Sequence, residues 1–165
     1  MKIDRIEPFL EYFEKIRQRT LRVVECIPAQ RFDWTCREGK FTLADLIRHL
    51  AATERFMFAE NACGRPSRYP GHGKELADGP EAVLAYFDEM HRQSREIFSA
   101  LTPQDLQKKC QAPSGMPITV WKWLRAMLEH EVHHRGQIYL YLALAGVATP
   151  PLYGMTSEEV RQAST

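Results

Sequence analysis

The chain has 165 residues, of which 44% are hydrophobic and 26% are charged, and its formal net charge is +1. These values are typical of one folded domain with an ordinary core and exclude an intrinsically disordered chain. The net charge lacks the basic excess of a nucleic-acid-binding protein. The sequence also contains no apolar run long enough for a transmembrane helix. The N-terminal stretch carries acidic residues and no continuous apolar core, so we expect no secretory signal.

The four cysteines, Cys26, Cys36, Cys63 and Cys110, are scattered along the chain. No two of them have the C-x-x-C spacing of a redox motif or a zinc knuckle. This scatter is typical of reduced thiols in a cytoplasmic protein rather than of a disulfide framework.

Two amphipathic helices are predicted in the first part of the chain. Apolar residues recur at three- and four-residue steps through residues 4–27, and Pro28 ends this helix. The second helix begins with the segment FTLADLIRHLAATERFMF, where Thr42 and Asp45 resemble a capping box. Its apolar face predicts that it continues to about Asn61.

Two further helices are predicted in the second half. The third spans about residues 80–100, and a short turn capped by Thr102 follows it. The fourth spans about residues 119–145 and ends at Gly146, a residue type suited to the position after a helix. Ser157 is a candidate cap for one more turn in the tail.

The connections between these helices are unusually long. Each has roughly 15 residues or more, whereas simple bundles use about 2–8. One of them, QKKCQAPSGMPITV, has a Pro-Ser-Gly turn whose flanks can pair as a small hairpin. The predicted architecture is therefore an all-α four-helix bundle, one domain over residues 1–165, with long loops that permit a crossover. We expect residues 61–78 and 101–118 to wall a site and shape its specificity.

The segment EHEVHHRGQIYLYLALAG, residues 129–146, carries two histidines one helical turn apart. On a helix, the imidazoles of His130 and His134 lie on one face and can reach a single ion. Buried imidazoles need partners, so the alternatives are a metal ion or hydrogen bonds to carbonyls and carboxylates. His133 falls about 100° off this face, and we expect it on the solvent side. The same row carries large core-type side chains: Trp123, Met127, Gln137, Tyr141.

A metal site needs a third ligand, and the candidates are His49, His72, His91 or a carboxylate. His49 lies on the inward-facing arc of the second helix, where a histidine needs a specific partner. His72 lies in the Gly-rich stretch PGHGK, which is typical of a solvated position. His91 follows Met90 on the third helix, at the boundary between its buried and exposed faces.

The letters HEVHH also satisfy H-E-x-x-H, the signature of zinc proteases, in which Glu131 would be the base. The extended form of this motif fails, because Gln137 and Leu140 replace its glycine and third histidine. Glu158 or Glu159 could supply a later glutamate only from a short tail. Such proteases also bind substrate along a strand edge, and the sequence predicts no suitable sheet. A protease is therefore disfavoured.

The chain resembles the DinB/YfiT-like family of proposed metal-dependent enzymes. The resemblance covers nearly the whole chain and rests on the long-looped bundle, the FTLADLIRHL opening of the second helix and H-x-x-x-H-R-G-Q on the fourth. It implies metal ligands at His49, His130 and His134, open coordination positions, and a homodimer. It leaves Gln137 without a role. Gly136 costs about 1 kcal/mol relative to alanine inside a helix, which predicts close packing of another backbone there.

Three histidines with an open position can bind zinc, nickel or iron(II). Two chemistries fit: a metal-dependent hydrolase that activates water, or a thiol S-transferase that uses a low-molecular-weight thiol. The candidate catalytic residues are Glu131 and Tyr141, with Thr53 nearby. The expected partner is a small-molecule substrate, with no nucleic acid and no membrane. The alternatives are a non-catalytic, stress-related metal-binding dimer, or three core histidines without an ion.

Overall fold

The structure is a computed structural model that describes residues 2–164. It confirms an all-α fold in which four long helices form a bundle, and the sheet found in that range is one two-stranded hairpin. The elements in chain order are α1 (Ile6–Val24), a 3₁₀ turn (Ala29–Arg31), α2 (Leu43–Thr53), a π-helical turn (Glu54–Ala59), α3 (Glu60–Ala62), α4 (Pro80–Ser99), α5 (Pro103–Gln107), β1 (Lys109–Gln111), β2 (Pro117–Thr119), α6 (Val120–Leu144) and α7 (Ser157–Ala163).

The four long helices form a closed ring. Helix α1 packs mainly against α4 and α6, and α2 packs against the same two helices. The first two helices of the sequence are therefore diagonal partners rather than neighbours. This arrangement requires a long connection across one end of the bundle, which residues 25–42 supply.

The core is divided along the bundle axis. One apolar cluster centres on Phe13, Phe98 and Leu124, and the other on Leu46 and Ile138. Between the two lies a middle layer of buried polar side chains contributed by α1, the π-helical turn, α4 and α6: Arg17, Thr20, Glu54, His91, Ser94, Glu131, Arg135. The fold therefore gathers its unusual chemistry at one level of the bundle.

Local hydrogen bonds explain where the helices begin. The Thr42 hydroxyl accepts the Asp45 N–H at 3.0 Å and the Asp45 carboxylate accepts the Thr42 N–H at 2.9 Å, so the predicted capping box is confirmed. The expected cap of the tail helix is wrong by one residue. Thr156 caps α7 in a capping box with Glu159, and Ser157 is its first helical residue.

The second helix contains a feature that the sequence did not predict. After Thr53 the chain makes a π-helical turn from Glu54 to Ala59 before α3 completes the rod. A π turn holds one extra residue, which rotates the following side chains relative to a regular helix. Glu54, at its start, is buried in the polar middle layer.

The predicted hairpin before α6 is confirmed. Strands β1 and β2 pair antiparallel, with Cys110 opposite Ile118. Gly115 in the connecting turn has φ +80°, a left-handed conformation that glycine adopts without strain.

One face of α6 is open to solvent. Val132, Leu140 and Leu144 are 40%, 57% and 62% exposed along this face. A Cβ added to Gly136 would meet no heavy atom within 4 Å, so the expected close packing of another backbone is wrong within this chain. The homodimer stays a prediction. Within residues 2–164, no helix is both long enough and apolar enough to cross a membrane.

Candidate metal centre

Three imidazoles converge between α2 and α6. His49 comes from α2, and His130 and His134 come from consecutive turns of α6. One ring nitrogen of each lies within 4.8 Å of those of the other two, and within residues 2–164 no carboxylate or thiol joins this group. The structure therefore brings together the three histidines that the resemblance implies as ligands.

The spacing of the ring nitrogens fits a divalent ion. The Nε2 atoms of His49 and His130 are 3.2 Å apart. Two imidazoles bound tetrahedrally to zinc at about 2.0–2.1 Å would have their nitrogens about 3.3–3.4 Å apart. The cluster therefore has a separation close to that of coordinated imidazoles without rearrangement of the helices.

The protonation states of the three rings also suit a cation. Burial, followed by repulsion from His134 and His72, lowers the pKa of His49 to about 4. Burial, followed by repulsion from His134 and the other nearby histidines, lowers the pKa of His130 to about 3. Burial also lowers the pKa of His134. At neutral pH the rings are uncharged, which is the form that binds metal.

Two of the rings have a hydrogen-bonding partner on the side away from the cluster. His49 Nδ1 lies 2.8 Å from the Tyr69 hydroxyl, and His134 Nδ1 lies 3.0 Å from Gln137 Oε1. Gln137 Oε1 can only accept, so His134 Nδ1 carries the proton and its Nε2 keeps a free lone pair. Gln137, which the sequence left without a role, therefore orients a candidate ligand.

The other histidines lie outside the cluster. His133 is exposed, as predicted, although its ring contacts that of His134 with centroids 4.9 Å apart. His72 is half-buried rather than fully solvated, and its ring packs against Phe41 at a tilt of 38°, with centroids 4.1 Å apart. His91 faces a different group, since its Nδ1 lies 3.2 Å from the Glu54 carboxylate.

A second polar cluster, the buried ion cluster, lies in the same layer and consists of Arg17, Glu54, Glu131 and His91. The Arg17 guanidinium donates to Glu54, and at 3.2 Å to Glu131. Arg17 also lies over the Phe87 ring, 3.8 Å from its centroid. All members of the cluster are at most 7% exposed. Its opposite charges pair with one another, although Arg17 Nε, Arg17 Nη1 and Glu131 Oε1 are buried without a hydrogen-bond partner in the part of the chain that the structure describes.

The two carboxylates of the buried ion cluster have opposite pKa shifts. Burial raises the pKa of Glu54, but the Arg17 charge and hydrogen bonding from His91 outweigh it, and the net shift is downward. Burial raises the pKa of Glu131, and the Glu54 charge adds to that effect while Arg17 opposes it. The catalytic role predicted for Glu131 stays a prediction, but its carboxylate binds Arg17 rather than facing the three imidazoles.

The remaining catalytic candidates make other contacts. Tyr141 is buried and accepts a 3.5 Å hydrogen bond from Gln137 Nε2. The other amide atom of Gln137 hydrogen-bonds His134. The Thr53 hydroxyl donates to the His49 carbonyl at 2.7 Å, one turn earlier in the same helix, so it is occupied by its own backbone. Gln137, which hydrogen-bonds both Tyr141 and His134, therefore links Tyr141 to the cluster.

Sequence reasoning missed Tyr69 and Arg17. Arg17 had a signal, since it follows the inward-facing Phe13 by four residues on α1 and must share its buried face. Tyr69 had none, because its contact with His49 spans 20 residues of chain and depends on the path of a long loop.

Comparison with known proteins yields consistent relatives. The uncharacterized protein YjoA of Bacillus subtilis strain 168 is 20% identical over 146 residues, which cover 87% of this chain and 93% of YjoA. The crystal structure of YjoA, a DinB-like protein, has a TM-score of 0.74 at 18% identity and covers 91% of this chain and 100% of that chain.

Two further solved structures share the fold. YfiT from Bacillus subtilis, "a probable metal-dependent hydrolase with an unusual four-helix bundle topology", has a TM-score of 0.69 at 19% identity and covers 87% of this chain and 89% of that chain. A mycothiol-dependent maleylpyruvate isomerase has a TM-score of 0.59 at 15% identity and covers 81% of this chain and 60% of that chain.

A match to a family model shows which family this chain belongs to. Residues 12–138 match the DinB superfamily, a range that includes all three clustered histidines and most of the bundle. This chain therefore belongs to the DinB superfamily.

Proposed function

We propose that this protein is a divalent-metal-dependent enzyme in which His49, His130 and His134 hold the ion and leave part of its coordination open. The observation that carries the proposal is the convergence of three neutral imidazoles from two helices, with one ring nitrogen of each within 4.8 Å of the others and the Nε2 atoms of His49 and His130 3.2 Å apart. Three protein ligands with a vacancy are typical of catalytic rather than structural zinc sites.

The residues of this chain have separable tasks in such a centre. A divalent ion bound there lowers the pKa of a coordinated water or thiol and so supplies a nucleophile at neutral pH. Gln137 holds His134 in the tautomer that binds metal. Phe41, His72 and Tyr69 lie beside His49 and form an aromatic wall against which a small substrate can pack.

Water and a low-molecular-weight thiol are the two candidate nucleophiles. The likeness to YfiT favours hydrolysis. The likeness to the mycothiol-dependent isomerase favours a thiol, and so does the absence of a carboxylate among residues 2–164 in the three-histidine group. A hydrolase often uses a nearby carboxylate to accept the proton of water, whereas a thiol, with its lower pKa, would lose its proton more readily at a site without such a base.

A two-arm assay tests the proposal. The zinc-, nickel- and iron(II)-loaded proteins are each incubated with ester and amide substrates, and separately with several thiols and a small electrophile. We expect turnover in one arm only, and loss of it in His49→Ala. Turnover that persists in His49→Ala would contradict the proposal, as would the absence of stoichiometric metal in the purified wild type.

The non-catalytic alternative makes a different prediction. If the ion mainly stabilises the bundle, its removal by a chelator should unfold the protein, because metal binding then supplies folding free energy. We instead expect the chelated protein to keep its helical content, because two apolar clusters and the buried ion cluster hold the bundle together. Circular dichroism before and after chelation distinguishes the two.

A further inference from the structure

A line of hydrogen bonds connects the metal centre to the long loop before α4. The Tyr69 hydroxyl lies 2.8 Å from His49 Nδ1 and 3.2 Å from His72 Nδ1. His49 belongs to α2, whereas Tyr69 and His72 belong to the loop of residues 65–79. One hydroxyl therefore joins the loop to a candidate metal ligand.

The direction of these hydrogen bonds follows from the position of His49 Nε2. That atom faces His130 Nε2 across the cluster, so it must keep its lone pair to bind an ion. The ring proton then sits on Nδ1 and donates to the Tyr69 oxygen, and the Tyr69 O–H donates to His72 Nδ1. Every group in this line then has a matching donor or acceptor for its neighbour, so the arrangement is internally consistent.

The loop end of this line is firmly held. Arg48, the residue before His49, is 1% exposed and donates from Nε to the His72 carbonyl at 2.7 Å and from Nη1 to the Ala77 carbonyl at 2.9 Å. The His72 ring also packs against the Phe41 ring. His72 is thus fixed by its carbonyl and by its ring, and it gives Tyr69 a stable acceptor.

We propose that Tyr69 is a positioning residue of the metal centre, which orients His49 for the ion and couples the closure of the loop of residues 65–79 to metal binding. This inference rests on the proposed function. A partner on the far side of a ligand imidazole fixes its tautomer and its orientation. Because Tyr69 is part of the loop, it can do so only while the loop is closed.

The coupling must act in both directions. If the closed loop raises the affinity for metal, then metal must stabilise the closed loop by the same factor. Gln137 offers an internal comparison, because it orients His134 from within α6 and makes no contact with the loop. Loss of Gln137 should weaken metal binding and leave the response of the loop intact.

The experiment compares wild type with Tyr69→Phe, Gln137→Leu and Tyr12→Phe. Tyr12→Phe removes the same hydroxyl from a tyrosine of similar exposure, 43% against 40%, on another face of the bundle. Zinc affinity is measured by competition with a chromophoric chelator, loop closure by amide hydrogen exchange of residues 65–79 with and without zinc, and ligand geometry by the absorption of the Co(II)-loaded protein.

We expect Tyr69→Phe to lower zinc affinity roughly 10-fold, to shift the Co(II) absorption bands and to abolish the zinc-dependent slowing of loop exchange. Gln137→Leu should lower affinity but keep that slowing, and Tyr12→Phe should match wild type. Wild-type affinity in Tyr69→Phe, an unshifted Co(II) spectrum or wild-type loop exchange that ignores zinc would overturn the inference. If His49→Ala then still fails to bind zinc, the proposed function survives. If wild type binds no zinc, both fail.

Discussion

Two polar clusters share the middle layer of this bundle, and they satisfy their side chains in opposite ways. The three-histidine group is neutral, half-buried and spaced for an added cation. The buried ion cluster is charged, nearly inaccessible and already contains its own cation in Arg17. The comparison shows that one bundle can bury a group of neutral imidazoles without a charged partner among the described residues, beside a group that already contains its own cation.

The same two helical segments contribute side chains to both clusters, while α1 and α4 add Arg17 and His91 to the buried ion cluster. The rod of α2 and the π turn contributes His49 to one and Glu54 to the other, and α6 contributes His130 and Glu131. Consecutive residues on a helix differ in direction by about 100°, so neighbours in the sequence face different sides of the layer. This geometry explains why the Glu131 side chain faces the buried ion cluster and not the three imidazoles, as it would in a protease with the H-E-x-x-H motif.

The largest effect is expected at the metal centre. His130→Ala removes one of three ligands, so we expect it to abolish stoichiometric zinc binding by the purified protein. The zinc-free variant should unfold in denaturant close to zinc-free wild type, since the imidazole has no counter-charge to leave behind. Metal analysis by mass spectrometry together with urea titration checks both parts. Full zinc content in His130→Ala would exclude this ligand assignment.

Arg17→Met should have the complementary effect, loss of stability with little change in metal affinity. It leaves Glu54 and Glu131 buried without a cation, and breaking a buried ion pair from one side costs about 3–5 kcal/mol. Urea titration measures this loss. The matched control is Arg92→Met, whose ion pairs with Glu89 and Glu96 are exposed and should contribute little. Equal stability of the two variants would show that the buried ion cluster is not structurally important.

The sequence predicted the parts of this molecule that depend on local spacing. Helix periodicity located all four long helices, and the Thr42–Asp45 pair located the start of α2. The i, i+4 spacing of His130 and His134 placed two imidazoles on one face of α6, because that relation is contained within a single helix.

The features that the sequence did not predict depend on contacts between distant segments. Nothing local indicates that Arg17 meets Glu131 across 114 residues, or that the π turn brings Glu54 into the same cluster. His72 appeared solvated because the residues that hold it, Phe41 and Arg48, belong to other segments. Tertiary packing decides such contacts, and a single sequence does not specify it by spacing.

The substitution Glu54→Gln tests whether the buried ion cluster stabilises the fold electrostatically, because its effect on the free energy of unfolding should then depend on pH. Burial raises the pKa of Glu54, but Arg17 and His91 outweigh it and hold the pKa below its ordinary value of 4.5. A lowered folded pKa stabilises the protein above pH 4.5, and this contribution is lost as pH falls through the folded pKa. At pH 7 we expect Glu54→Gln to lower the free energy of unfolding by about 2 kcal/mol, the range of a charged hydrogen bond.

The difference between wild type and Glu54→Gln should therefore shrink below pH 4.5, because wild type loses its charge there and the variant has none to lose. Urea titrations of both proteins from pH 7 to pH 3 measure it. A difference that stays constant over this range would mean that the contribution of Glu54 is not electrostatic.

The smallest effect is expected at His133, the middle histidine of the segment HEVHH. Its side chain is exposed and lies outside the three-histidine group, although its ring contacts that of His134. His133→Ala should therefore leave zinc affinity and unfolding free energy unchanged, as measured by the chelator competition and urea titration used for the other variants. A marked loss of zinc affinity would mean that His133 supports His134 from outside and that the metal centre extends to the solvent face of α6.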